Sequence, residues 1–255
     1  MNIELLKKHL QKNVEETAIE FQKKEDIVCS FETPILAYVD AEDPKFDALF
    51  ARGMNDHPKK IYRPGKCLIL HYTPYAADIV GRNEAADTPT EEWVRAYMES
   101  LWLAMELNRT IVKTLKTQGR LTSYMNNMME WDLKTCRGSW SHTLAAAVGG
   151  VGTIGPAGSL IVNGRYGGRV GGIITDGLYA EPAEGLETID PESFADEILR
   201  AWEKPECSRE MIAACPGGAI SEGGIDKFKC QEYCLKFNEY IPSSDVCGKC
   251  FKFGI

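Results

Sequence analysis

The chain is short of three things, and each shortage excludes something. No apolar run approaches the roughly 18–20 residues that a bilayer-spanning helix requires, so no membrane is expected as a partner. The opening stretch MNIELLKKHLQKNVEE has no apolar core of the kind that marks a secretory signal, and the expected location is cytoplasmic. Basic residues are the third shortage. The 29 Lys and Arg stand against 37 Asp and Glu, for a net charge of −8 with no basic run. A chain of that balance has little with which to neutralise phosphates, and nucleic acid is not an expected partner. Internal repeats and low-complexity tracts are absent as well. What remains, 255 residues of which 44% are hydrophobic and 26% charged, suits one large globular domain with a small appendage.

Cysteine is what the chain has in quantity. Of the nine, Cys29, Cys67 and Cys136 are scattered and read as buried core thiols, since free cysteine packs like a small hydrophobe. The other six, Cys207, Cys215, Cys230, Cys234, Cys247 and Cys250, crowd the last fifty residues. In a reducing compartment such crowding points to metal or redox chemistry rather than to disulfides. Within it, Ala214-Cys215-Pro216-Gly217-Gly218-Ala219-Ile220 has the form in which ferredoxin-type cluster runs end: a ligand, a proline that redirects the chain, and small residues whose N–H groups can face sulfide. The complete run is C-x2-C-x2-C-x3-C-P, but the three upstream positions are Pro205, Ser208 and Met211, with Cys207 one residue out of register. Further ligands must therefore come from downstream. Two ligand sets fit. Cys215, Cys230, Cys247 and Cys250 suit one [4Fe–4S] cluster and use the Cys-Pro; Cys230, Cys234, Cys247 and Cys250 suit a structural tetrahedral zinc and leave it idle. The Cys-Pro favours the cluster. Lys227, Lys229, Lys249 and Lys252 nearby read as solvated surface that can offset thiolate charge.

Periodicity supplies the rest of the outline. Apolar residues at Ile3, Leu6, Leu10, Val14 and Phe21 predict a helix over 3–21. The runs at 35–39 and 67–70 read as strands. Thr88-Pro89-Thr90-Glu91 predicts a helix start, with Thr88 as cap, and the helix should run to Lys116 with Gly119 just beyond. Residues 131–140 read as irregular and 142–148 as a short helix. Strands are expected at 159–162 and 169–175 with an Asn163-Gly164 turn between them, and a helix from Asp190-Pro191 to about Lys204. Residues 1–190 are taken as an α/β (α+β) cofactor or substrate domain, and 191–255 as the cysteine-rich module.

The glycine-dense segment holds Gly150-Val151-Gly152-Thr153-Ile154-Gly155, which matches the dinucleotide fingerprint G-x-G-x-x-G, with Asp176 about twenty residues on. The fingerprint needs a strand before the glycines and a helix after them; here the predicted order is the reverse, which argues against it. Two readings remain for the glycines: tight helix-to-strand packing, or, at Gly167, Gly168, Gly171 and Gly172, room for a flat cofactor against the strand.

Taken in order, Ser141-His142-Thr143-Leu144-Ala145, the glycines at 149–155, Leu160-Ile161, Gly172-Ile173-Ile174-Thr175-Asp176, Cys215-Pro216, Lys229-Cys230-Gln231-Glu232-Tyr233 and Cys247-Gly248-Lys249-Cys250 form a series. It resembles the epoxyqueuosine reductase-like iron–sulfur proteins, distantly similar to corrinoid-dependent reductive dehalogenases. The resemblance covers residues 140–250 and is weak before residue 120. It implies a nitroreductase-like or corrinoid-reductase-like sheet domain followed by a small ferredoxin-like module. It assigns one [4Fe–4S] cluster to Cys215, Cys230, Cys247 and Cys250. The ligands of the family's other cluster fall on Pro205, Ser208, Met211 and Gly254, which implies a single-cluster variant. It also implies cobalamin or FMN beside Gly150, Gly152, Gly155, Gly167 and Gly168. The family's proton-donating carboxylate falls by spacing near Cys136, with Asp132 and Glu130 the closest carboxylates; Tyr124, Asp132 and His142 are the candidate proton donors. The expected function is an iron–sulfur oxidoreductase passing single electrons from the cluster to a corrinoid, flavin or small substrate, supplied by a redox donor protein. An electron carrier or corrinoid-handling protein, and a zinc-stabilised binding module, are the alternatives.

Overall fold

The computed structural model describes residues 3–125, 130–177, 179–180, 189–203 and 205–254. The first half contains α1 (Ile3–Phe21), β1 (Ile35–Asp40), α2 (Pro44–Ala51), α3 (Pro58–Ile61), β2 (Cys67–Pro74), α4 (Ala77–Ala85) and α5 (Glu91–Thr117). Then come β3 (Thr122–Tyr124), the hairpin strands β4 (Trp131–Asp132) and β5 (Arg137–Gly138), α6 (His142–Val148), β6 (Thr153–Ile154), β7 (Leu160–Ile161) and β8 (Gly168–Thr175). The C-terminal part has α7 (Pro191–Glu203), α8 (Arg209–Ala213), β9 (Ile220–Ser221), β10 (Gly224–Ile225) and α9 (Lys227–Leu235).

Alternation along β2 sets the architecture. Side chains of successive strand residues point to opposite faces. Cys67 and Ile69 join a core with α1 and α5, while Leu68, Leu70 and Tyr72 join a second core with α2, α6 and α7. The sheet runs β1-β2-β8-β3 with every pairing antiparallel, and helices cover both of its faces. β2 and β8 are central because both their faces are apolar, as in Ile173 on one side and Ile174 on the other.

Three local details differ from the sequence reading. The α5 cap is Thr90 rather than Thr88: its hydroxyl accepts from Trp93 N–H at 3.2 Å, and Asn83 Oδ1 takes the Thr90 N–H at 3.1 Å, holding Thr90 extended. Residues 131–138 are not irregular but form the small β4–β5 hairpin. The Asn163-Gly164 turn exists, with φ of 51° and 70° as a primed hairpin turn requires, but it closes only a bridge between Val162 and Arg165; β7 pairs with β6, and β8 leaves for the main sheet.

The boundary drawn at residue 190 does not follow the packing. Phe194, Ala195 and Ile198 of α7 belong to the same core as β1 and α6, and Arg52 after α2 reaches Glu192 at 2.6 Å and Asp196 at 2.7 Å. Helix α7 is part of the sheet layer structure, and the cysteine-rich tail begins after it. Among the described residues, no helix is long and apolar enough to cross a membrane.

Candidate metal centre and adjoining pocket

The tail folds around its own thiols. Ser208 caps α8 by accepting from Met211 N–H at 3.1 Å, and the chain turns at Cys215-Pro216. Gly218 then adopts φ +59° and closes on Cys215 O at 3.1 Å, which brings Ala219 N–H to 3.3 Å from Cys215 Sγ. Gly217 lies on α9, where a Cβ would come within 2.7 Å of Tyr233. Asp226 caps α9 with bonds from two backbone N–H groups, and the helix carries Cys230 and Cys234 one turn apart.

The Cys247-Gly248-Lys249-Cys250 knuckle is held from outside. Gly248 has φ +73° and sits on Trp93 of α5, at a distance where a Cβ would lie 2.4 Å from the indole. Lys249 is not the solvated surface residue expected from its charge. It is 7% exposed, and its ammonium bonds Asn83 O and Ala86 O at the C-terminal end of α4, where a cation meets the helix dipole and otherwise unpaired carbonyls. Asn83 in turn reaches Cys247 O at 3.4 Å. Phe251, one residue on, packs edge-on against Trp93 and Tyr166.

These contacts bring Cys215, Cys230, Cys234, Cys247 and Cys250 around one cavity of about 150 Å³. Its other walls are mostly apolar, among them Ile220, Ile225 and Val246. Five of the six tail cysteines thus converge, and the sixth, Cys207, turns to Pro205 O at 3.3 Å instead. Burial pushes the Cys247 thiol up to about 12 and raises Cys250 further. The Cys234 thiol donates to Cys230, lowering Cys230 and raising itself. Such thiols bind metal by exchanging protons for it. The cavity has room for more than a single water-sized body, being several times the roughly 30 Å³ share of one water; it offers Cys215 in addition to the zinc set, and it supplies an N–H to sulfur. Among the described residues no three His, Cys, Asp or Glu side chains converge on the position of a single ion. The positions on which the resemblance places the ligands of another cluster have structural roles of their own. Ser208 caps a helix, Met211 is buried, and a Cβ on Gly254 would lie 2.6 Å from Ile161.

A second cavity, about 380 Å³, adjoins the first. Asp245, Val246 and Phe251 line both. Four of the five tryptophans of the chain, Trp93, Trp131, Trp140 and Trp202, form its walls with Tyr75 and Tyr97. Arg137 lies over the Trp202 ring at 5.6 Å and Arg169 over Tyr97 at 4.5 Å. Cys136 also reaches this pocket. It has φ +54° in the β4–β5 hairpin, and its thiol donates to Gln231 Oε1 of α9 at 2.9 Å. It is half-buried rather than a core thiol, unlike Cys29 and Cys67.

The site residues named from the sequence separate in the structure. Gly167 and Gly168 line the pocket, though their missing Cβ atoms also make room for Trp93 and Tyr72. Gly150, Gly152 and Gly155 line neither cavity. Gly150 (φ +69°) ends α6 in a Schellman arrangement, with Val151 N–H on Ala146 O and Gly150 N–H on Ala147 O. A Cβ on Gly152 would strike Ile161 O at 2.2 Å, and one on Gly155 would meet Ile161 at 2.7 Å. Gly171 and Gly172 likewise face β2, where added carbons would meet His71 and Ile69 O. A left-handed helix end at Gly150 and close approaches of neighbouring chain at the other four account for these five glycines.

Of the proton-donor candidates, only His142 reaches the pocket. Its Nε2 is shielded from solvent with no hydrogen-bond partner among the described residues. Burial, with His71 and Arg169 behind it, pushes the imidazole down to about 3, so it stands neutral. Asp132 is exposed and spends its carboxylate on Lys134 N–H and the Thr135 hydroxyl within the hairpin. Tyr124 is 52% exposed on a separate surface groove with Arg109 and Lys116. The sequence reading missed Asp245, Tyr97, Arg137 and Arg169. Tyr97 donates to Asp245 at 2.6 Å across the wall between the cavities. Burial holds the Tyr97 phenol above its usual range; none of the four stands in a recognisable motif.

No protein-family model matches the chain, and no curated protein matches it. A solved structure of epoxyqueuosine reductase from Bacillus subtilis, in which a catalytic loop is swung out of the active site, is similar in fold, with a TM-score of 0.51 at 16% identity. The similarity covers 94% of this chain and 62% of that one. The chain is therefore an α/β protein with the fold of epoxyqueuosine reductase, spanning less than two thirds of that enzyme's length.

Proposed function

We propose that the chain is an iron–sulfur oxidoreductase in which one [4Fe–4S] cluster, held by Cys215, Cys230, Cys247 and Cys250, serves a corrinoid, flavin or small substrate in the aromatic pocket. One observation carries this reading: the thiol-lined cavity and the pocket share a wall of three residues, Asp245, Val246 and Phe251. The cluster would supply one-electron transfer. The residues of the chain supply the setting. Apolar walls keep water from the sulfurs, and Ala219 N–H and the Lys249 ammonium lower the cost of thiolate charge nearby. On the pocket side, neutral His142 offers a ring nitrogen to a ligand, and the Tyr97–Asp245 pair is placed to hold a proton beside it. The loss of ligand residues at Pro205, Ser208, Met211 and Gly254 supports one cluster rather than two. Electrons would come from a redox donor protein.

The test is purification under anaerobic conditions with iron and acid-labile sulfide measured per chain. A brown protein with equal iron and sulfide, whose visible absorbance bleaches on reduction with a paramagnetic signal of a reduced cluster, is expected. Stoichiometric zinc without sulfide would mean the structural-metal alternative and end this reading.

A further inference from the structure

We infer that the indole N–H of Trp93 donates a hydrogen bond to a metal-bound sulfur of the Cys247–Cys250 knuckle, so that a residue of helix α5 helps to set the reduction potential of a cluster held by the tail. The inference rests on the cluster proposed above. Its own argument concerns one buried donor and what holds it in place.

Trp93 is 1% exposed, and its Nε1 has no partner among the described residues. Indole nitrogen can only donate, and a donor left buried and unpaired costs free energy. Packing alone would be served by a ring without nitrogen. The nitrogen lies at the knuckle: the carbon that Gly248 lacks would stand 2.9 Å from Nε1 and 2.6 Å from Cε2. Gly248 also lines the cysteine cavity. The opposite edge of the ring, Cζ3 and Cη2, lies against Gly167 before β8, where an added carbon would come within 3.2 Å. Both glycines are left-handed, with φ of +73° and +85°. The indole fills the space between them, with its polar edge on the cysteine side.

The orientation of the ring is fixed. Tyr75 and Phe251 meet it edge-on at 5.3 and 6.3 Å. Trp93 N–H bonds Thr90 Oγ, Thr90 N–H bonds Asn83 Oδ1, and Asn83 Nδ2 bonds Cys247 O. These bonds run from α5 through α4 to the knuckle, so the donor and the sulfurs belong to one rigid arrangement. The Lys249 ammonium and the Asn83 amide, also beside the knuckle, are committed to backbone carbonyls. An acceptor for Trp93 arises when the thiols exchange their protons for metal, because a bound thiolate is a charged acceptor. Reduction adds negative charge to the sulfurs. A donor there stabilises the reduced cluster more than the oxidised one and raises its potential.

The test uses the full chain purified anaerobically, with iron and acid-labile sulfide measured on every sample and the cluster titrated potentiometrically. Trp93→Phe should keep its iron, sulfide and circular dichroism and lower the potential, shifting the reduction equilibrium about tenfold, which is about 59 mV for one electron. Trp102→Phe, at an exposed position of the same helix, should leave the potential unchanged. Pulsed electron paramagnetic resonance on the reduced wild-type protein, with the indole nitrogens isotopically labelled, should show an indole nitrogen coupled to the cluster, and Trp93→Phe should lose that coupling. If Trp93→Phe does not fold or load, the wild-type coupling decides, and it must survive Trp131→Phe, Trp140→Phe and Trp202→Phe. A loaded Trp93→Phe variant with an unchanged potential, or a wild-type cluster without indole coupling, overturns the inference and leaves the cluster standing. Calorimetric titration with FMN and hydroxocobalamin as probes covers the pocket side: weaker binding by Trp93→Phe at an unchanged potential would assign the N–H to a pocket ligand instead. A wild-type chain holding zinc without sulfide ends this inference together with the proposed function.

Discussion

The cysteine cavity and the aromatic pocket stand side by side yet are built by opposite means. All five thiols of the cavity come from residues 215–250, carried by one turn, one helix and one knuckle. The pocket draws on residues from Tyr75 to Phe251, with contributions from α5, the β4–β5 hairpin, α6, β8, α7 and the tail. A metal-binding unit can be local because ligand spacing along the chain sets ligand spacing in space. A pocket for an organic ligand has no such short-range rule, since its walls are faces that meet only after the sheet has formed. The two share a wall, and separating them experimentally is the sharpest way to learn whether they work together.

The largest effect is expected from the thiols. Cys215→Ser or Cys247→Ser should abolish the cluster, read as loss of iron and sulfide, while ligand heats in the pocket persist. Loss of both at once would mean the pocket depends on the cluster for its form. Gly248→Ala removes no sulfur but should cost about 1–2 kcal/mol for a left-handed alanine and about 1–3 more for the overlap with Trp93. Denaturant unfolding and iron content should fall together, linking the knuckle to α5.

A pH effect comes next. His71, fully buried against Asn108 (ring Nε2 to Oδ1, 3.1 Å), is pushed down to about 4 by burial. Below about 6.5 the unfolded chain takes a proton that the folded chain refuses until about 4. Its contribution is therefore whole above about 6.5 and is lost as pH falls through that window, by about 3 kcal/mol from this residue. Urea midpoints across that range should show the slope, and His71→Gln should reduce it, with His142 and the carboxylates held low by hydrogen bonds, such as Glu42 and Glu210, contributing to what remains.

Lys249→Met should cost about 1–3 kcal/mol by leaving Asn83 O and Ala86 O unpaired, measured by denaturant midpoint. The smallest effect is predicted for Asp132→Asn and Tyr124→Phe. Both are exposed and neither lines either cavity, so melting temperature, iron content and ligand heats should all stay within error. A change in ligand binding for either would return it to the pocket.

Legibility followed the same division. Helix α1 and the core strands could be read because apolar spacing of 3.6 or 2 reports a buried face directly. Helix α4, by contrast, has only Ile79 and Asn83 buried, and its importance lies in the carbonyls it offers to Lys249. The family resemblance places Gly150, Gly152 and Gly155 beside a cofactor, the dinucleotide motif being excluded by its reversed strand-to-helix order. The structure shows a helix end and two close approaches to Ile161 instead. Thr88 lost the cap to Thr90 because Asn83, five residues earlier, took the Thr90 N–H.

By itself, the sequence determined the inventory: a cysteine-rich tail with Cys215-Pro216 and a C-x2-C knuckle, two strands apolar on both faces, and helices with their stops. Those depend on spacing, charge and backbone preference, which act over a few residues. Only the tertiary structure decided that Cys234 stands with the other four thiols and Cys207 does not. It alone put Lys249 inside against α4, and gathered four tryptophans and two arginines beside the thiols. Those outcomes depend on which distant segments exclude water from one another, and no local pattern records that.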